Sequence, residues 1–288
     1  ARTLEKHTLA LSSRSQLPSN RRGDLTMTLL QGKTALIFGI ANDHSIAWGI
    51  AKAMHESGAK IALSYASEPL ERRVRPLAES IQCDFVEQCD VSSDEEIDTL
   101  FDKATKELKS IDTLVHSIAF ANREDMLGRY IDTGRDGFHL TMDVSVYSLT
   151  ILARKALPLM KPGGSILTIT YYAGQKAVPK YNVMGIAKAA LEASVRYLAM
   201  ELGSEGIRVN AISAGPIRTL SAAGVPGFKK MYREFTKIAP LKESITIENV
   251  GAAAVWLASD MASRTTGEVL FVDSGYNILG LTVPEDLQ

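Results

Sequence analysis

The sequence predicts an α/β fold: one doubly wound, Rossmann-type, mostly parallel sheet of seven strands with helices on both faces. Three observations carry that prediction. Short apolar runs alternate with stretches of helical period along the chain. Successive strands are far enough apart for helical crossovers, which parallel pairing requires. The first strand ends in a glycine and is followed by a helix, and open parallel sheets hold their ligands beyond the carboxyl ends of the strands.

Each element follows in order. Residues 33–39 form a short apolar run ending in Gly39 and read as a buried strand. Residues 45–57 place Ile46, Ile50, Ala53 and Met54 at helical spacing, with Gly58 where a C-terminal cap belongs. A strand at 60–65, a charged helix at 68–80, a strand at 84–91, a helix at 94–108 and a strand at 112–118 continue the alternation. A long helix around 138–160 is expected to stop before Lys161-Pro-Gly-Gly164. The fifth strand is expected at 165–171, a helix at 181–202 and the sixth strand at 208–213. Helices at 228–238 and 247–259 precede the seventh strand at 268–272. No internal repeat or second linker interrupts residues 27–288, which read as a single domain.

Residues 1–26 have a different texture. They hold five basic and two acidic residues and seven Ser/Thr, without an apolar period. Three readings stand: a disordered lead or non-native extension before a start at Met27, the remnant of a targeting peptide, or an ordered arm used in assembly. The remaining 262 residues suit one doubly wound domain.

Composition narrows the function classes. The chain has 32 Lys+Arg against 33 Asp+Glu, a net charge of −1, which argues against nucleic acid bound by bulk charge. Without the first 26 residues the balance is −4. No apolar run approaches the roughly 18 residues that cross a bilayer, so no membrane role is expected. The two cysteines, Cys83 and Cys89, lack metal-ligand spacing and form no disulfide framework. No metal site and a reducing, cytoplasmic compartment are expected.

The turn after the first strand, from Gly39 to Ser45 and Ile46, reads as a dinucleotide site. Gly39 lets backbone approach the ligand, and a helix N-terminus attracts a pyrophosphate. The usual G-x-G-x-x-G pattern is missing. Other strand ends support the site: Asp90 and Val91 beside an adenine, and Ile118 within the small-residue stretch His116-Ser-Ile-Ala-Phe-Ala121. The second strand ends in Tyr65-Ala-Ser-Glu68 without the Arg or Lys that a 2′-phosphate wants. The nearest are Arg72 and Arg73, so NADH is favoured over NADPH. Tyr181 and Lys188 lie seven residues apart at the start of a helix, almost two turns, and share one face. A lysine there can hold ribose hydroxyls and favour a phenolate-like oxygen. The same spacing also suits a buried tyrosine and a surface lysine.

The stretch from Tyr171 through Tyr181 to Lys188 resembles the enoyl-[acyl-carrier-protein] reductases of bacterial type II fatty acid synthesis, a divergent branch of the short-chain dehydrogenase/reductases. Gly39…Ser45-Ile46, Gln88-Cys-Asp-Val91, His116-Ser-Ile118 and the stretch from Arg208 to Thr219 resemble the same family, over about residues 30–277. Common short-chain dehydrogenases carry Tyr-x-x-x-Lys with a Ser thirteen residues earlier. Here those positions are Met184 and Tyr171, so the ketone-reducing triad is absent and the phenol lies one turn earlier, at Tyr181.

The resemblance implies reduction of trans-2-enoyl thioesters on acyl carrier protein by NADH. It assigns Tyr181 to the thioester oxygen, Lys188 to the nicotinamide ribose and Tyr171 to the substrate, with Ala121 beside it. It assigns Ile217, Arg218, Thr219, Leu220 and Ser221 to the nicotinamide and pyrophosphate. It implies a homotetramer, with the helices around 138–160 and 181–202 as subunit contacts. Residues 213–238 are expected to form a lid hinged at Gly215, Gly224 and Gly227. Phe228, Met231, Tyr232, Phe235 and Ile238 should face an acyl chain, and Lys229, Lys230, Arg233 and Lys237 the solvent or an acidic carrier. The sequence departs from relatives at Ala66 and Ala119, where others have Gln and Gly. The rival readings are another short-chain oxidoreductase, such as a 3-oxoacyl reductase, and a non-catalytic dinucleotide sensor.

Overall fold

The computed structural model describes residues 28–223 and 227–280. The expected lead at 1–26 and the hinge Gly224 lie outside the described residues. The strands are β1 (Thr34–Phe38), β2 (Lys60–Tyr65), β3 (Phe85–Gln88), β4 (Ile111–His116), β5 (Met160–Thr170), β6 (Arg208–Ala214) and β7 (Val269–Val272). They form one sheet in the order β3-β2-β1-β4-β5-β6-β7, and every pairing is parallel. The order reverses between β1 and β4, which opens a crevice at their carboxyl ends.

Alternation along β1 sorts the core into two layers. Ala35 and Ile37 belong to one apolar cluster, while Leu36 and Phe38 belong to the other. The first layer contains α1 (Ile46–Glu56), α2 (Glu68–Ser80) and α10 (Ile247–Ala258); the second contains α3 (Asp94–Glu107), α6 (Ser148–Ala156) and α7 (Asn182–Leu202). The shorter helices are α4 (Arg123–Met126), α5 (Arg135–Met142), α8 (Leu220–Ala223) and α9 (Phe228–Ile238). Helices α1 and α10 meet backbone to backbone: a Cβ on Gly251 would lie 2.6 Å from the Gly49 carbonyl oxygen.

Two expectations need correction. The helix around 138–160 is not continuous. A π-turn at Asp143–Tyr147 separates α5 from α6, and a 3-10 turn at Leu157–Leu159 carries Pro158. The wider turn aims hydroxyls at the neighbouring strand end: Ser145 Oγ donates to the Phe120 carbonyl and accepts from its amide. The fifth strand starts at Met160 rather than 165, because Lys161-Pro-Gly-Gly164 forms an irregular stretch of it, where the pairing with β4 changes register.

Candidate active site

The register brings the site's backbone together. Phe38 pairs with His116, so β1 and β4 end level and Gly39 lies beside Ser117. Gly39 has φ +97°, and a Cβ there would collide with the Ser117 carbonyl. Ser45 is buried and its hydroxyl accepts from the amides of Ala41 and Asn42, each at 3.0 Å, which fixes the turn. No side chain caps the first turn of α1, and that turn holds no acidic residue. Its amide end is therefore suited to an anionic ligand.

A cavity of about 420 Å³ opens at this point. Gly39, Ser45, Ile46, Ile118, Tyr171, Tyr181, Lys188, Ile217, Thr219 and Leu220 all line it. Ala119 and Ala121 also line it. The predicted residues that fall outside its lining are Asp90, Val91 and Arg218. The Asp90 carboxylate accepts from the amide and hydroxyl of Ser92, and Val91 is buried in the layer under α3. The Arg218 guanidinium stacks 4.5 Å over the Tyr232 ring. The side chain of Ser221 lies outside what the structure describes.

The chemical groups sit where β5 meets α7. Tyr181 is the N-cap of α7, and Lys188 lies in its second turn. Seven residues of helix bring both side chains to the cavity. The Tyr171 and Tyr181 rings meet edge to face at 5.0 Å. Burial raises the pKa of Tyr181 well above the ordinary phenol value, and the neighbouring Tyr171 adds to this. Tyr171 is raised as well, first by burial and then by Tyr276. Both phenols are therefore hydroxyl donors at neutral pH. The Lys188 ammonium donates to the Ile169 carbonyl at 2.7 Å. Burial pushes Lys188 down to about 8, against the opposing pull of Glu192.

His116 is wholly buried behind this surface. Its Nδ1 lies 2.8 Å from Thr168 Oγ1 and its Nε2 2.8 Å from Ser148 Oγ. Ser148 gives its own proton to the Val144 carbonyl, so Nε2 carries the ring hydrogen. Burial pushes His116 down to about 3, aided by the positive charge of Lys188, so the ring is a neutral strut.

The arm over the cavity differs from expectation. Phe228 and Met231 line the cavity. Phe235 is buried against Tyr276 at 5.1 Å, and Tyr232 is covered by Arg218. Only part of the expected apolar face is therefore directed at the cavity. Gly215 is a packing residue rather than a hinge: a Cβ there would lie 2.7 Å from Ile245 and 3.1 Å from Phe235. Gly227 has φ +78° and starts α9 in the left-handed region.

Sequence reasoning missed Met126 and Thr170 as lining residues, and it missed Glu192. Glu192 carried a signal: it falls on the face of α7 shared by Leu191 and Val195, where periodicity calls for an apolar residue. Among the described residues no cluster of His, Cys, Asp or Glu could hold a metal ion, and no helix is long and apolar enough to cross a membrane.

Comparison with known proteins gives a consistent result. Residues 39–277 match the family model described as enoyl-(acyl carrier protein) reductase. The Bacillus cereus enoyl-[acyl-carrier-protein] reductase [NADH] FabI is 54% identical over 256 residues, 88% of this chain and 100% of the relative. The crystal structure of the NADH enoyl-[acyl-carrier-protein] reductase from Aquifex aeolicus superposes with a TM-score of 0.86 at 52% identity, covering 88% of this chain and 100% of that one. A Bacillus cereus reductase with NADP+ and indole naphthyridinone superposes with a TM-score of 0.86 at 54% identity, covering 88% and 99%.

Proposed function

This chain belongs to the enoyl-[acyl-carrier-protein] reductase family, and on that premise we propose that it reduces the trans-2 double bond of enoyl thioesters carried on acyl carrier protein, with NADH as reductant. One observation carries the reading of the site. Tyr171, Tyr181 and Lys188 converge on a single cavity that also includes the Gly39 turn and the start of α1, while Met184 holds the position four before Lys188.

The donors present fit a dinucleotide: an ammonium and an uncapped helix N-terminus line one cavity with small residues between them. When bound, NADH supplies a hydride from its nicotinamide ring to the β-carbon of the enoyl group. Tyr181 donates a hydrogen bond to the thioester oxygen as negative charge builds there. Its phenol is suited to this because burial keeps it protonated. The enolate then takes a proton at its α-carbon from water or through the Tyr181 network. Tyr171 supports the Tyr181 ring from the substrate side. Lys188 binds the nicotinamide ribose. Ser45 and the N-terminal turn of α1 would receive the pyrophosphate.

The proposal extends to a cytoplasmic homotetramer that uses α7 and the 138–160 segment as contacts. Its support is the family together with the outer surface of α7, where Tyr197 and Met200 are 69% and 72% exposed.

Mixing the protein with a crotonyl thioester and following NADH absorbance tests the activity. A steady fall is expected. A flat trace with both NADH and NADPH would favour a dinucleotide sensor.

A further inference from the structure

Three successive residues at the end of β5 are each held differently. The Ile169 carbonyl accepts from Lys188 Nζ at 2.7 Å. Thr170 donates its hydroxyl to Glu192 Oε1 at 2.8 Å. Tyr171 enters the cavity against Tyr181. Glu192 also accepts from Gln175 Nε2 at 3.1 Å with its other oxygen. The carboxylate thus grips both sides of the turn 171–174, which begins with Tyr171. The grip is close: a Cβ on Gly174 would lie 2.7 Å from Glu192 Oε1 and 3.1 Å from the Lys188 carbonyl carbon. Glu192 lies one helical turn after Lys188 on the same face of α7. It is 4% exposed. A buried carboxylate is costly, and an apolar residue of similar volume would serve packing better.

We propose that Glu192 is a positioning residue for the reduction, clamping the Tyr171 turn against α7 one helical turn after Lys188, so that phenol and ammonium meet thioester and cofactor together. The proposal rests on the enoyl-reductase reading of this site. Glu192 touches neither reacting partner; it acts through Thr170 and Gln175. The titratable groups around Lys188 are Glu192 on its own helix, Tyr181 at the helix start, Tyr171 at the end of β5 and His116 on β4. Of these, Glu192 raises the pKa of Lys188 against the larger effect of burial, while burial lowers that of His116 and raises those of both phenols.

The test uses E192Q, T170V and T170S in the full chain, with crotonyl thioester turnover and NADH affinity by calorimetry between pH 6 and 10. T170V is expected to lower kcat by about tenfold with KM for NADH within about twofold, and T170S to recover most of that loss. E192Q with T170V should be no slower than E192Q alone, because both break one contact. E192Q should also move the loss of NADH affinity to lower pH than in the unaltered protein. Wild-type kcat in T170V and E192Q, with an unmoved pH profile, would overturn the proposal. The calorimetric arm needs no turnover. A protein that binds NADH but reduces no enoyl thioester would sink the functional reading alone, and the E192Q pH shift would still decide the role of Glu192.

Discussion

The cavity is bounded by two regions built on different principles. The wall where β5 meets α7 is made of packed secondary structure. Ten residues of the 21-residue α7 are buried, Lys188 and Glu192 among them. The arm from Ile217 to Ile238 has little packing of its own. Among the described residues α9 buries only Phe235, which packs against Tyr276, and Met231 Sδ lies 3.9 Å from the Tyr171 hydroxyl; Arg218 over Tyr232 is a contact within the arm itself. Regions with few buried apolar contacts open at low free energy, whereas core helices open only with the whole fold. Charge stabilisation needs donors that do not reorganise, and substrate entry needs a surface that can. The wall is therefore where turnover should be decided, and the arm where substrate affinity should be.

Replacing Tyr181 breaks the wall's chemistry most directly. Tyr181→Phe removes one donor at the developing oxyanion, which typically lowers kcat by about 10²–10³-fold. NADH affinity, measured by calorimetry, is expected to stay within about threefold. Equal losses in both would move Tyr181 from the thioester to the cofactor.

Lys188→Ala comes next and should act on the cofactor. Losing a charge-assisted hydrogen bond of about 1.5–3 kcal/mol weakens NADH binding by roughly 10–100-fold. The unaltered protein carries a pH signature of the same group. Burial depresses Lys188 to about 8, so the ammonium that holds the ribose is present below that pH and is lost as pH rises through it. NADH affinity should fall above about pH 8, and a Lys188→Ala variant should lose that inflection. An inflection that survives the substitution would assign it to another group.

The wall was also the more legible region in the sequence. Seven strands and the helix that carries Tyr181 and Lys188 follow from apolar period, because buried parallel strands and amphipathic helices leave strong, regular patterns, whereas the pair stood out from an ordinary helix only through the family resemblance. What escaped were features without a period. The π-turn at Asp143–Tyr147 shifts helical register, and the apolar pattern does not record it. Gly215 reads as a hinge in sequence, yet it is glycine because Ile245 and Phe235 pack onto it. Arg218 and Asp90 sit at ligand-facing positions in the chain order, but cation–π stacking and the Ser92 turn engage them elsewhere. Glu192 was visible as a charge on an apolar face; its partners on the turn after β5 were not, since they come from tertiary contact.

On the arm, Met231→Ala probes affinity with little effect on chemistry. The side chain lines the cavity and meets Tyr171. Losing a few apolar atoms from a substrate pocket costs about 1–2 kcal/mol, or roughly 5–30-fold in KM. The rise should be larger for long-chain enoyl thioesters than for crotonyl, with kcat nearly unchanged. A fall in kcat without a change in KM would place Met231 with the wall.

The smallest effect should come from the arm's outer face, and it would sharpen the contrast furthest from the chemistry. Lys229, Lys230, Arg233 and Lys237 are exposed there. The face is less basic than its sequence suggests, because Glu234 pairs with Lys237 at 3.6 Å. Lys229 and Lys230 remain the purer cationic patch, and an acidic carrier protein would be steered by it through encounter rate more than through tight contact. The domain as a whole is mildly acidic, so such steering must be local. Reversing both to Glu is expected to lower kcat/KM on carrier-linked substrate by about three- to tenfold at low salt, less at high salt, with coenzyme A thioesters unaffected. Equal loss on both substrates would mean that the charges act on the fold of the arm itself. The arm would then be a single structural unit with the wall rather than a docking surface above it.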